Sequence, residues 1–236
     1  HHQSGQFLDA IIYYQQILQQ SPEIHDVRTN MAAAQLSSGD QKSAEKNLNI
    51  VLKAVPAHID ALINLGNLQS NLGNYKKALQ SFQLALKKAP KRADICFNIA
   101  LMYQEKEDLI QAENWYEKTL KKDAKLAQAQ VNLALVRLQK GAIETAKKGL
   151  EDCLAAFPKH PEALLNLAHI NFNEGAVDIA EDLYRKAYEA APEVAHTRNA
   201  LARMLLEKEL IKEALDVLEE HDSNDIDSFI LLKYPQ

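Results

Sequence analysis

Two cysteines, one tryptophan, seven glycines and seven prolines are spread through 236 residues, and no apolar run is long enough to cross a bilayer. Each scarcity excludes something. Two cysteines cannot build the disulfide framework of a small secreted domain. Cys96 falls on an apolar helical position and Cys153 on a small-residue face, so both are expected as reduced core fillers, and a reducing, cytoplasmic setting is the matching expectation. With about 18 consecutive apolar residues needed to span, no membrane insertion is expected. No leader-like segment opens the chain, although a chain beginning inside a structural unit carries little weight on that point. β-rich and low-complexity stretches are also missing, while 47% of residues are apolar. That balance is that of an all-α globular chain.

Catalytic patterns are equally scarce. The sequence holds no H-E-x-x-H, no C-x-x-C, no phosphate-cradling glycine loop and no G-x-S-x-G. Its histidines fall mainly at the chain start and in polar turns (His25, His58, His160, His196, His221), where solvation is the plain expectation. No catalytic residue, metal ligand or cofactor is assigned, and no enzymatic activity is expected. Residues 159–236 carry 8 basic and 16 acidic side chains, a net −8 within a total of −5. Lysine pairs at 87–88 and 121–122 suit the negative end of a helix dipole. No continuous basic stripe appears, so nucleic acid is not an expected partner.

What the chain does have is a period. Steps of 34 from Pro90 land on Pro22, Pro56, Ala124, Pro158 and Pro192. The same step from Ala78 gives Ala10, Ala44, Ala112, Ala146, Ala180 and Ala214. A third row is small throughout (Ala32, Gly66, Ala100, Ala134, Ala168, Ala202), and a fourth is large and apolar (Tyr14, Leu48, Phe82, Tyr116, Leu150, Tyr184, Leu218). Within one period two runs show i, i+3, i+4, i+7 apolar spacing, with Leu62, Leu65, Leu68 and Leu72 in one and Ala78, Phe82, Ala85 and Leu86 in the other. A polar turn containing Gly73 separates them. Small residues let two antiparallel helices approach, glycine ends the first helix, and proline stops the second. A lone pair cannot bury its apolar face, so successive pairs must stack and share a core.

The pattern L-x2-L-G, then G-x-Y-x2-A-x3-F and P, resembles the tetratricopeptide repeat. In that frame full units run 25–58, 59–92, 93–126, 127–160, 161–194 and 195–228. A half unit at 1–24 precedes them and the start of a further helix at 229–236 follows, the whole of 1–236 being read as one repeat domain. Ala124 departs from the pattern at the proline, and Glu107 and Glu209 at the turn glycine. The resemblance implies an all-α, right-handed superhelical solenoid of stacked helix-turn-helix units, working as an interaction module.

Function in such a solenoid is expected on the first helices, which line its concave side. Asn30, Asn64, Asn98, Asn132 and Asn166 recur there at intervals of 34, and the next step is Ala200. Asparagine inside a helix costs about half a kcal/mol or more against alanine, so five invite a reason. One is that a carboxamide can both donate to and accept from the backbone of an extended peptide, whatever its sequence; in this the row resembles the asparagine ladder of O-linked N-acetylglucosamine transferase-type proteins. The plain alternative is a bridge between neighbouring helices, or hydration. Thr29, Ile63, Phe97, Val131, Leu165 and Asn199 form a neighbouring row, expected to hold peptide side chains, and the row Asp26, Asp60, Asp94, Gln128, Glu162, His196 should favour basic ones. Asn67, His169, Phe172 and Arg203 complete the expected groove. The terminal-carboxylate clamp of chaperone-binding relatives needs Lys or Arg where this chain has Ile63, Asn67, Asn98, Gln128 and Asn132.

Three uses follow: a scaffold that binds an extended peptide or partner protein, a substrate-presenting arm of a glycosyltransferase or methyltransferase, or an assembly that associates head to tail through residues 6–21 and 227–236.

Overall fold

The apolar spacing and turn residues translate directly into helices. The computed structural model describes residues 2–219 as thirteen helices: α1 (His2–Gln20), α2 (His25–Ser37), α3 (Gln41–Ala54), α4 (Ile59–Asn71), α5 (Tyr75–Lys88), α6 (Ala93–Glu105), α7 (Leu109–Lys122), α8 (Ala127–Gln139), α9 (Ile143–Ala156), α10 (Pro161–Asn173), α11 (Val177–Ala190), α12 (Ala195–Glu207) and α13 (Ile211–Glu219). Apart from α1, first and second helices alternate, joined by short turns in antiparallel hairpins. The chain divides into two compact units, His1–Ala124 and Lys125–Gln236, at a turn between repeats. Residues 220–236, which include the expected helix 229–236 and the self-association segment 227–236, lie outside the described residues.

Helix ends are set by caps. Asp40 Oδ1 accepts from the Ser43 N–H at 3.1 Å and Asp108 Oδ1 from the Gln111 N–H at 3.2 Å, opening α3 and α7. His58 and His160, expected only as solvated turn residues, instead cap α4 and α10: each Nδ1 accepts the N–H of the residue three further on, at 3.3 and 3.4 Å. Helix α7 stops at Lys122 although Ala124 replaces the proline, so the proline is not required to end a second helix. The turn after the first helix needs a left-handed residue. Gly73 supplies it with φ 73°, and Glu107 and Glu209 are forced into the same region at 61° and 62°.

In the first unit α1 packs on α2, and the pairs α2/α3, α4/α5 and α6/α7 follow. Ala44, Ala78 and Ala112 are fully buried where helices approach. Leu48 and Val51 fill one core cluster, and Leu62, Phe82, Ile95 and Ile99 another. Leu72, expected on the Leu62–Leu68 stripe, sits past the end of α4 and is exposed. In the second unit α8/α9, α10/α11 and α12/α13 repeat the arrangement. Ala146, Leu150 and Cys153 are sealed in one cluster, and Leu164, Ala180, Tyr184 and Leu205 in another. Both cysteines are free and buried, and burial pushes both thiols above the ordinary value.

Candidate functional site on the first helices

The asparagine row sits on α2, α4, α6, α8 and α10. Asn30 is exposed and Asn64, Asn98, Asn132 and Asn166 are half-buried, so none is sealed in the interhelical core. Among the described residues the carboxamides of Asn30, Asn64 and Asn98 make no hydrogen bond. In the second unit the Asn166 amide donates to its own helix, Nδ2 to the Glu162 carbonyl at 2.7 Å, which leaves its Oδ1 available. Asn132 Oδ1 accepts from Gln128 Nε2 at 3.2 Å. Asn67, on the following turn of α4, is half-buried.

The neighbouring apolar row does not do what was expected of it. Ile63, Val131 and Leu165 are buried, each inside a core cluster. One residue along a helix turns the side chain by about 100°, enough to carry it from the open face into the contact with the adjacent helix. Thr29 is buried too and turns its hydroxyl onto the His25 carbonyl. Phe97 is half-buried, edge-on to Tyr116 at 5.8 Å. Ile63, Val131 and Leu165 thus serve the core, while the contacts of Thr29 and Phe97 stay within their own repeats.

The acidic row is largely answered from within. Asp26 Oδ1 lies 3.0 Å from His58 Nε2. Arg92 reaches Asp60 at 2.8 Å and grips Asp94 with two bonds of 2.9 and 2.5 Å, which holds the Asp94 carboxyl below the ordinary value. Glu162 accepts from Gln128 at 2.9 Å. The expected preference for basic peptide side chains is therefore weakened, because Arg92 already supplies a cation to Asp60 and Asp94, and Asp26 and Glu162 have partners of their own.

A cavity of about 410 Å³ opens in the second unit, between α10 and α12 and over α11. It brings together His169, Phe172, His196, Asn199 and Arg203, which the repeat frame had placed in the groove, with Tyr184, Met204 and Glu207, which it had not. Tyr184 lies on its wall, edge-on to His169 at 5.4 Å, and burial raises its phenol to about 12. His196 stands 6.5 Å from His169, ring centre to ring centre. Burial first, then His196 and Arg203, push His169 below the ordinary histidine value, which favours the neutral form of this half-buried ring. Asn199, expected in the side-chain row, contributes a carboxamide whose Oδ1 is screened from water with no partner. The cavity opens where the row of five asparagines gives way to Ala200, and that break was the signal available in the sequence. Among the described residues no group of three or more His, Cys, Asp or Glu side chains could hold a metal, and no helix is long and apolar enough to cross a membrane.

Stacked helix-turn-helix hairpins with a 34-residue period, capped and packed in this way, define a helical repeat protein. Models described as Tetratricopeptide repeat match residues 59–92, 93–124 and 132–195, together more than half the chain. The chain belongs to the tetratricopeptide repeat family. No curated protein sequence matches it. Among solved structures it is similar to PilF of Pseudomonas aeruginosa (19% identity, 91% of this chain and 93% of that one, TM-score 0.71). It is also similar to PilW, a type IV pilus biogenesis factor (19%, 90% and 94%, 0.67). A third is a thermophilic tetratricopeptide protein of Thermus thermophilus (23%, 77% and 99%, 0.61). At these identities the likeness is one of fold. Repeats of this family generally serve as non-catalytic scaffolds for protein interactions.

Proposed function

We propose that the chain is an interaction scaffold whose first helices bind extended peptide segments through their asparagines. The supporting observation is the set of carboxamides at Asn30, exposed, and at Asn64 and Asn98, half-buried, all without partners among the described residues. A carboxamide that bridged helices would be bonded to one. Packed helices stand about 8–10 Å apart and an extended chain advances about 3.3 Å per residue, so one asparagine meets roughly every third peptide residue. Backbone reading of this kind tolerates many sequences. The test is the affinity of decapeptides of unrelated sequence for the protein and for a variant with Asn30, Asn64 and Asn98, all in the first unit, changed to Ala. A uniform loss with unchanged helicity supports the reading; unchanged affinity removes it.

A second reading, association between copies, is favoured by Leu8, Ile12 and Tyr13, which are all more than half exposed on α1. Light scattering tests it: Leu8→Lys with Ile12→Lys should shift the protein towards monomer. A chain already monomeric at high concentration rules this reading out.

A further inference from the structure

The cavity between α10 and α12 is the one place among the sites described above where the first-helix face deepens into a chamber, and its walls specify an occupant. Phe172, Tyr184 and Met204 give it an apolar interior, with the His169 ring edge-on to Tyr184. Rings set edge to face in this way accept another ring readily, and a thioether makes favourable contact with aromatics. The cavity opens at Ala200, where the five preceding repeats carry an asparagine. The Asn199 Oδ1 beside it is screened from water and unpaired. A buried acceptor in that state is stabilised by any donor that reaches it. Charge does not ask for an ionic ligand: Arg203 and Glu207, one of each sign, are both engaged with other groups.

Building on the peptide reading above, we infer that this cavity anchors an aromatic side chain carrying a hydrogen-bond donor, a tryptophan or tyrosine of the bound segment. The ring lies against Phe172, Tyr184 and Met204, and its N–H or O–H donates to the Asn199 Oδ1, which the carboxamide brings to the cavity by turning about its terminal side-chain bond. A phenylalanine fills the space without satisfying the acceptor. An aspartate or glutamate brings a charge that the walls do not balance.

The test uses the whole chain and the N-acetyl amides of tryptophan, tyrosine, phenylalanine, leucine and aspartate, followed through the ring-proton resonances of His169 and His196. Tryptophan and tyrosine amides should give saturable shifts with affinities about fivefold or more above phenylalanine, the size expected of one added hydrogen bond. Ala200→Asn, a residue that five preceding repeats carry at this position, should abolish the shifts. Asn199→Leu should reduce tryptophan and tyrosine to the level of phenylalanine. The inference is overturned if no aromatic amide shifts the rings, if aspartate binds best, if phenylalanine equals tyrosine, or if Ala200→Asn binds as well as the parent. Single amino-acid amides have no extended backbone. Failure of the asparagine row in the decapeptide measurement therefore leaves this result untouched, and failure here leaves the row untouched.

Discussion

A Cβ placed on Gly66 of α4 would stand 2.5 Å from Cε1 of Phe82 on α5, closer than carbon atoms approach. The other repeats carry alanine at this position, but in this hairpin the Phe82 ring, fully buried, takes up the room. Alanine favours a helix interior by about 1 kcal/mol over glycine. Forcing a methyl into a packed core costs about 1–3 kcal/mol. Gly66→Ala should therefore destabilise by up to about 2 kcal/mol in urea unfolding, and a simultaneous Phe82→Leu should recover part of that loss.

Glu107 and Glu209 should respond in the opposite sense. Both are held in the left-handed region, at φ 61° and 62°, where a residue with a Cβ costs about 1–2 kcal/mol. Gly39, Gly73, Gly141 and Gly175 at the corresponding turns of other repeats have nothing within 4 Å of an added Cβ, so conformation alone sets the preference there. Glu107→Gly should stabilise by roughly 1 kcal/mol, visible as a higher urea midpoint at unchanged slope.

Cys96 and Cys153 should resist alkylation. Their exposures are 1% and 0%, and burial raises both thiols, which lowers the thiolate fraction at neutral pH. Iodoacetamide labelling should follow unfolding of the surrounding repeats, so that denaturant accelerates it. Rapid labelling in native buffer would contradict the packing of α6 and α9.

His169 makes stability depend on pH. Its folded value is lowered by burial, then by His196 and Arg203, while the unfolded chain keeps the ordinary value near 6.5. As pH falls, the unfolded state binds the proton first. The stabilisation is complete above about 6.5 and is lost as pH falls through the lower folded value. Urea midpoints at pH 7.5 and 5.0 should therefore fall further in the parent than in His169→Gln.

The frame of the fold was legible because 34-residue spacing is a covalent fact, and rows such as Ala44, Ala78 and Ala112 report helix contacts wherever they recur. The faces were less legible. Helical period separates core from surface but not one buried seam from an open groove, so Ile63, Val131 and Leu165 were read about 100° away from the direction in which they pack. The pairing of His58 with Asp26 and of Arg92 with Asp60, each 32 residues apart, recurs in successive repeats and could have been found by the same arithmetic. The cavity had a weaker trace. It needs Ala200, His169 and Phe172 together, three departures from the repeat whose meeting depends on side-chain packing.

The central claim, that first-helix asparagines read peptide backbone, is tested most directly by the side-chain NH2 resonances of Asn30, Asn64 and Asn98 in the first unit as the tightest-binding decapeptide is added. Exposed Asn49 and Asn114 on the second helices α3 and α7 serve as internal references. The account predicts that the three first-helix amides shift together and saturate with binding while the references stay still. Saturable binding that leaves those three amides unmoved would contradict it.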